Sequence, residues 1–390
     1  MPERIDLRQA DDLRDVVHRA VACLAQGGIV GLATDSGYNL ITSALNPTAP
    51  GRIDGWLNAL SPGPDGPRGD RPHSDSLRST ILLVKSAAEL ADWADLAAVA
   101  DSARKLPGRV WPGPVVLRFR PRTGGLADRL PAEVRASVVA DGWLVVCSPA
   151  ERMTREILRL SSGPLIQVVG ATVATGSLER RPLRLSDLEK FAGLELILDS
   201  GESPRVREPT VVAIDETGWS VVRPGVVAEA QIEQWAGVII LFVCTGNTCR
   251  SPMAEALCKA VLARRVGCLA ADLARRGYVV LSAGVAAGDG MPAASNAIEV
   301  VQGRGGSLID HVSQQVTSEL VRHADHILAM TWDHLDALLD QVPEAGHRVR
   351  LLDPAGGDIL DPVGMDLPTY RETAREIERH LEHLLGELGL

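Results

Sequence analysis

Six consecutive apolar residues at positions 238–243 (VIILFV) run straight into a cysteine and then into the short polar stretch Thr245-Gly246-Asn247-Thr248-Cys249-Arg250-Ser251-Pro252. An unbroken apolar run bounded by turn residues reads as a strand buried on both faces, the kind found at the centre of a parallel sheet. Such a strand needs helices on either side and parallel neighbours reached by crossovers. The downstream chain supplies both. Helical spacing at 252–265, 313–323, 332–341 and 367–388 alternates with strand-like segments at 279–282, 326–330 and 349–352. The pattern predicts a doubly wound α/β domain over 238–390.

The first half reads as a separate α/β or α+β domain with a mixed sheet. Residues 11–26 have helical spacing and stop at Gly27-Gly28; 29–33 read as a buried strand followed by the turn-rich Thr34-Asp35-Ser36-Gly37. Further strands are expected at 81–85, 115–119, 143–147, 165–169, 194–198 and 211–214. The stretch 61–76 (SPGPDGPRGDRPHSDS) has a loop's composition. Residues 221–225 close this domain, which spans 1–229, and 226–235 read as a short helical linker.

Composition narrows the chemistry by exclusion. No cationic start leads into an apolar run, and no segment reaches the roughly eighteen apolar residues of a membrane span. The expected location is the cytoplasm. The six cysteines (Cys23, Cys147, Cys244, Cys249, Cys258, Cys268) form neither a Cys-x-x-Cys pair nor a disulfide framework, so thiol chemistry in a reducing compartment fits better than zinc. The net charge of −10 is uneven: residues 1–230 carry 27 basic and 29 acidic side chains, residues 231–390 carry 13 and 21. An acidic C-terminal domain repels membranes and nucleic acid, so any anion it binds must be held by a short, focused element.

The 244–252 segment is such an element. With this many arginines, a cysteine six residues before an arginine carries little information alone; the setting gives it meaning. A buried strand delivers Cys244, Gly246 and Asn247 permit unusual backbone angles, and Pro252 sits where a helix begins. A loop of this kind turns successive backbone N–H groups inward as an anion nest, and the helix N-terminus adds partial positive charge. Together they hold a phosphate dianion and favour the thiolate of Cys244. Arg250 offers a planar fork to two phosphoryl oxygens, and Ser251 can donate a hydrogen bond to the sulfur as it leaves.

Residues 238–390 closely resemble the low-molecular-weight protein tyrosine phosphatases and their protein arginine phosphatase relatives. Beyond the loop, the likeness runs through Glu255, Ser282-Ala283-Gly284, His311, 324–330 (ADHILAM) and Asp361-Pro362. The resemblance implies catalysis by Cys244, Arg250 and Asp361 through a phosphocysteine intermediate, with Asp361 acting first as acid and then as base. It also implies phosphate binding by Thr245, Gly246, Asn247, Thr248, Cys249 and Ser251. Asn247, Ser282 and His311 match positions that shape the loop, and Asp358 falls where a second acidic residue often lies. Cys249 reads either as core or as a partner that traps an oxidised Cys244 in a reversible disulfide; Cys258 and Cys268 read as packing residues.

Small, polar Thr248 and the Val363-Gly364 that follows Asp361-Pro362 supply no aromatic wall for a phenyl ring. The CTGNTCRSPMAEAL run is similar to the arginine phosphatase branch, so phosphoarginine is expected ahead of phosphotyrosine. Val363 departs from both branches, in which an aromatic lid is common. The expected partner is a phosphorylated protein, and no metal or organic cofactor is required.

Residues from about 8 to 228 resemble the YrdC family, whose active members make threonylcarbamoyl-adenylate for tRNA modification. Matching pieces are Gly27-Gly28-Ile29-Val30, Thr34-Asp35-Ser36-Gly37-Tyr38, Trp111-Pro112-Gly113-Pro114, Pro209-Thr210-Val211-Val212 and Arg223-Pro224-Gly225. The family's Lys-x-Arg pair is missing from 57–72. Its Ser-Ala-Asn segment is replaced by Gln167-Val168-Val169-Gly170-Ala171, and its strand arginine is lost around Cys147. These departures predict a scaffold with lost or weakened synthase activity. The alternative is a bifunctional chain still making threonylcarbamoyl-adenylate, and only then would ATP and a tRNA pathway be partners. The expected architecture is thus an N-terminal YrdC-like mixed-sheet α/β domain plus a C-terminal doubly wound α/β phosphatase domain with a central parallel sheet.

Overall fold

A computed structural model describes residues 2–34, 37–60, 78–173, 180–201 and 208–389. The chain divides into two compact units, 1–229 and 230–390. The stretch 61–76 lies outside the described residues.

The N-terminal unit is built on a mixed sheet with twelve strands among the described residues. Its centre pairs Ile29–Thr34 antiparallel with Gly37–Ser43, and Gly37–Ser43 antiparallel with Leu165–Val173. Ile29–Thr34 is buried on both faces by alternation: Val30 and Leu32 pack with Val17, Ala20 and Leu24 of the helix Leu13–Ala25, while Ile29 packs with Ile53 and Leu188 on the other side. Asp12 starts that helix by accepting the Arg14 N–H at 2.8 Å. The strands Trp143–Cys147 and Val115–Phe119 form as predicted. The return strand Gly37–Ser43 and the edge strand Gly218–Arg223 are additions to the sequence reading.

The C-terminal unit is a four-stranded parallel sheet in the spatial order Tyr278–Gly284, Val238–Cys244, His326–Ala329, Val349–Leu351. Side chains of the apolar run go alternately to two cores. Ile240, Phe242 and Cys244 face Met253, Leu257, Ile377 and Leu381, whereas Ile239, Leu241 and Val243 face Val321, Leu338 and Leu351. Full burial of each such aliphatic side chain contributes roughly 1.5–3 kcal/mol, so both faces hold the strand in register. The strand order reverses at Val238–Cys244, and a crevice outside the carboxyl ends at that point is where open α/β sheets bind ligands.

Three helices described in the C-terminal unit depart from the sequence reading. The helix expected from Pro252 begins two residues earlier and spans Arg250–Val266, placing Pro252 third, still among the first-turn positions whose N–H has no intrahelical partner. The helix expected over 313–323 starts only at Ser318, because the Thr317 hydroxyl caps the Leu320 N–H at 3.1 Å and Gln314 and Gln315 are engaged in loop contacts. Ser295–Gln302 is a further helix, too short for its spacing to stand out.

Candidate active site

Cys244 is the last residue of its strand and only 3% exposed, yet its sulfur faces polar groups. Sγ lies 2.9 Å from the Ser251 hydroxyl and accepts the Asn247 N–H at 3.3 Å. The carbonyls of Cys244, Thr245, Asn247 and Thr248 accept hydrogen bonds from Val285 N, Ala286 N, the His311 imidazole and Ala294 N respectively. In a planar trans peptide the next residue's N–H points opposite to the carbonyl. Tying those carbonyls outward therefore turns the amides of Thr245, Gly246, Thr248 and Cys249 inward, alongside that of Asn247, at the N-terminus of Arg250–Val266. Donors converging at a helix start form an anion cradle.

Asn247 holds the cradle's shape. It is fully buried with φ of +54°, a conformation asparagine tolerates better than most residues. Its Nδ2 donates to the hydroxyls of Ser251 and Ser282, both at 2.9 Å, and its Oδ1 accepts the Gln314 N–H at 3.0 Å. Ser282 in turn donates to Glu255 at 2.5 Å, and Glu255 pairs with Lys259. Gly246, expected to share the unusual angles, is not among the positive-φ residues; Asn247 alone in the loop takes that role. Gly284 is required for another reason. A Cβ there would sit 2.4 Å from the Thr245 carbonyl and 3.0 Å from the Asn247 nitrogen.

Arg250 is 5% exposed, and its Nη2 donates to Asp361 Oδ2 at 2.6 Å. Its Nη1 reaches the Ile359 carbonyl at 3.3 Å. The Asp361 side chain is 43% exposed, so it faces both the guanidinium and solvent. Its loop is pinned to the sheet edge by Leu352 N–H to Ala329 O at 2.9 Å and Ile359 N–H to Met330 O at 2.8 Å. The fold thus brings Cys244, Arg250 and Asp361 to one sheet edge, with the 245–251 residues around the sulfur. Asp358 Oδ1 accepts the first N–H of the helix Trp332–Gln341 at 2.9 Å.

His334 was missed in the sequence. This buried histidine has Nε2 2.8 Å from the Thr245 hydroxyl and Nδ1 2.9 Å from the Thr331 hydroxyl. Burial, then the nearby Arg250 charge, hold its imidazole below the ordinary value of 6.5. A threonine three residues before a histidine just after a strand was the available signal. Tyr370 was missed too; its hydroxyl lies 3.2 Å from Cys249 Sγ, and burial, then that thiol, raise its pKa. Cys258 is wholly buried, with burial pushing its thiol up to about 12, and Cys268 packs against the same core. Leu360, Val363 and Met365 flank Asp361 as exposed apolar residues. Among the described residues, no group of three or more His, Cys, Asp or Glu side chains is placed to hold a metal ion, and no helix is long and apolar enough to cross a membrane.

Comparison with known proteins follows the same division. The family model for low molecular weight phosphotyrosine protein phosphatase matches residues 239–389. The Sua5/YciO/YrdC model, described as telomere recombination, matches residues 71–225. The chain is similar to a protein-arginine-phosphatase of Bacillus subtilis, 39% identical over 153 residues that cover 38% of this chain and 95% of that protein. It is similar to the probable low molecular weight protein-tyrosine-phosphatase EpsP of Ralstonia nicotianae, 35% identical over 144 residues, 37% of this chain and 90% of that one. It is also similar to the low molecular weight protein-tyrosine-phosphatase PtpB of Staphylococcus haemolyticus, 33% identical over 151 residues, 38% and 96% of the two chains.

Proposed function

Through its C-terminal unit the chain belongs to the low molecular weight phosphotyrosine protein phosphatase family, and from that premise we propose that it dephosphorylates phosphoarginine in proteins, with phosphotyrosine second. The Cys244 thiolate attacks phosphorus, forming the S–P bond as the bond to the leaving nitrogen or oxygen breaks. Asp361 gives that atom its proton. In the second half, Asp361 takes a proton from water as the water attacks the phosphocysteine, releasing inorganic phosphate and returning the thiolate, to which Ser251 donates. Inward amides and Arg250 carry the equatorial oxygens, the arrangement that makes electrostatic stabilisation effective.

One observation carries this reading: a cysteine sulfur at the floor of the amide cradle, bonded to Asn247 N and Ser251, with the Asp361 carboxylate 2.6 Å from the Arg250 guanidinium that borders it. Thr248, the exposed Val363 where a phenyl-stacking ring would stand, and the likeness to a protein-arginine-phosphatase support the order of substrates. Free thiols suit a cytoplasmic setting. Parallel kcat/KM measurements on phosphoarginine and phosphotyrosine peptides test it, with Cys244→Ser as the blank. A markedly higher value on phosphotyrosine reverses the order, and activity surviving in Cys244→Ser removes the mechanism.

The N-terminal unit contains a YrdC-like region. We read it as a scaffold whose synthase activity is lost or much weakened. Cys147, where the strand arginine is expected, is buried against the Gly113 carbonyl with its thiol pushed up to about 12, so it supplies no cation. The segment expected to carry the Lys-x-Arg pair lies largely outside the described residues. Calorimetric titration of the full chain with ATP and L-threonine separates scaffold from enzyme, since micromolar ATP binding favours the bifunctional alternative.

A further inference from the structure

His334 is a buried titratable side chain that touches the cradle loop through Thr245 and has no part in the chemistry described so far. It is the third residue of the helix Trp332–Gln341, 4% exposed, and both ring nitrogens meet hydroxyl groups. Thr331 Oγ1, which caps the helix, already accepts the His334 backbone N–H at 3.4 Å. Its own hydrogen is then free to go to Nδ1, 2.9 Å away. With Thr331 donating, the ring proton sits on Nε2 and goes to Thr245 Oγ1 at 2.8 Å; with the proton on Nδ1 the roles of both hydroxyls reverse. Arg250 Nη2 approaches the same oxygen at 3.4 Å.

A hydroxyl has two acceptor sites and one proton. With His334 and Arg250 occupying the acceptor sites of Thr245, its proton is directed away from both. The Thr245 residue is exposed, on the loop whose amides converge beside Arg250. In the opposite tautomer Thr245 would donate back to the imidazole and present lone pairs to an incoming dianion, which repels it. An anion in the cradle therefore selects the Nε2–H form. The charges facing this imidazole are Arg250, Asp333, Asp361 and Asp358.

We propose that His334 is a positioning residue of the phosphate pocket, fixing the Thr245 hydroxyl so that its proton is offered to a phosphoryl oxygen as a side-chain donor beside the loop amides. This rests on the phosphatase reading above and names a further determinant of phosphate recognition at that site.

The test uses the full chain and two readouts. Inorganic phosphate affinity is measured by calorimetry, which needs no turnover, and kcat/KM is measured on para-nitrophenyl phosphate. A hydrogen bond to a charged oxygen is worth about tenfold in affinity. Thr245→Val and His334→Leu are each expected to weaken phosphate binding and kcat/KM about tenfold. The double variant is expected to be no worse than the poorer single one, because the two residues act as a unit. His334→Gln, whose amide nitrogen reaches the Nε2 position, is expected to stay within about threefold of the natural chain. The proposal is overturned if His334→Leu binds phosphate normally, if the two losses multiply, or if His334→Gln is as damaged as His334→Leu. Should His334→Leu misfold, as circular dichroism would reveal, Thr245→Val and His334→Gln decide alone: tenfold weaker binding with Thr245→Val beside near-natural His334→Gln supports it, and any other pairing overturns it. Phosphate binding without turnover in the natural chain would sink the phosphatase reading while leaving the affinity arm to decide this one.

Discussion

Replacing Asn247 by alanine removes three side-chain hydrogen bonds at once, to Ser251, Ser282 and Gln314 N, from a fully buried site. At about 1 kcal/mol each these total about 3 kcal/mol. Holding alanine at a φ of +54° adds roughly 1–2 kcal/mol. The expected loss is thus about 4–5 kcal/mol for the cradle and its supporting strand. Asn247→Gly loses the same bonds but not the steric penalty. After the greater flexibility of unfolded glycine is counted, it should come out about 0.5–1 kcal/mol better than alanine. A two-unit chain has no single unfolding free energy, so the suitable assay is native-state hydrogen exchange read on peptides across 238–266. At 1.4 kcal/mol per decade, Asn247→Ala should exchange there about a thousandfold faster. Both variants should lose at least about a hundredfold in kcat/KM as the sulfur's donors lose their aim. If exchange in Asn247→Ala rises less than about tenfold, the buried network does not hold the loop. Exchange faster in glycine than in alanine would mean that the left-handed backbone is not what the native loop adopts.

Three further outcomes follow from the same geometry. Peroxide inactivation should be reversed by dithiothreitol in the natural chain but not in Cys249→Ser, if Cys249 traps the oxidised nucleophile; equal recovery excludes that role. Val363→Tyr adds an aromatic surface beside Asp361 and should raise kcat/KM on phosphotyrosine up to about tenfold while leaving phosphoarginine nearly unchanged, and parallel rises on both substrates would remove stacking as the cause. The native imidazole of His334 sits below its ordinary 6.5, so between the two values the unfolded chain binds a proton that the native chain refuses. Stability of this unit should therefore fall as pH drops below 6.5 and level off once native His334 protonates; melts of His334→Gln across about pH 5–7 should lack that component of the slope.

Local signals carried much of the fold. The 238–243 run was legible because six adjacent apolar residues must be shared between two cores, as Ile240 and Phe242 against Ile239 and Leu241 demonstrate. The helix Trp332–Gln341 was legible from spacing, and its Thr331 cap fits that reading. Cys244, Arg250 and Asp361 emerged from motif and family likeness, not from periodicity. What escaped depends on partners far along the chain. The role of His334 exists only because Thr245, 89 residues earlier, folds against it. Asp358 was read by family likeness as a second acidic residue near the site; only the fold reveals that its Oδ1 takes the Trp332 N–H. Gly246 was credited with conformational freedom that Asn247 uses, a choice fixed by bonds to Ser282 and Gln314. Ser295–Gln302 was too short to announce itself.

The parallel sheet has a consequence for how this domain comes into being. Cys244 and Asp361, the proposed nucleophile and acid, lie 117 residues apart in the chain, since each crossover returns a strand to the same edge. At about 5–20 residues per second, a ribosome takes roughly 6–23 s to travel from one to the other. Throughout that interval the emerging polypeptide carries the cysteine strand without the helix Leu367–Glu387 that covers one of its faces. The Cys244 sulfur is consequently synthesised long before its shelter, and if it is the nucleophile we propose, the newborn domain is most open to oxidants and electrophiles while it is still being made.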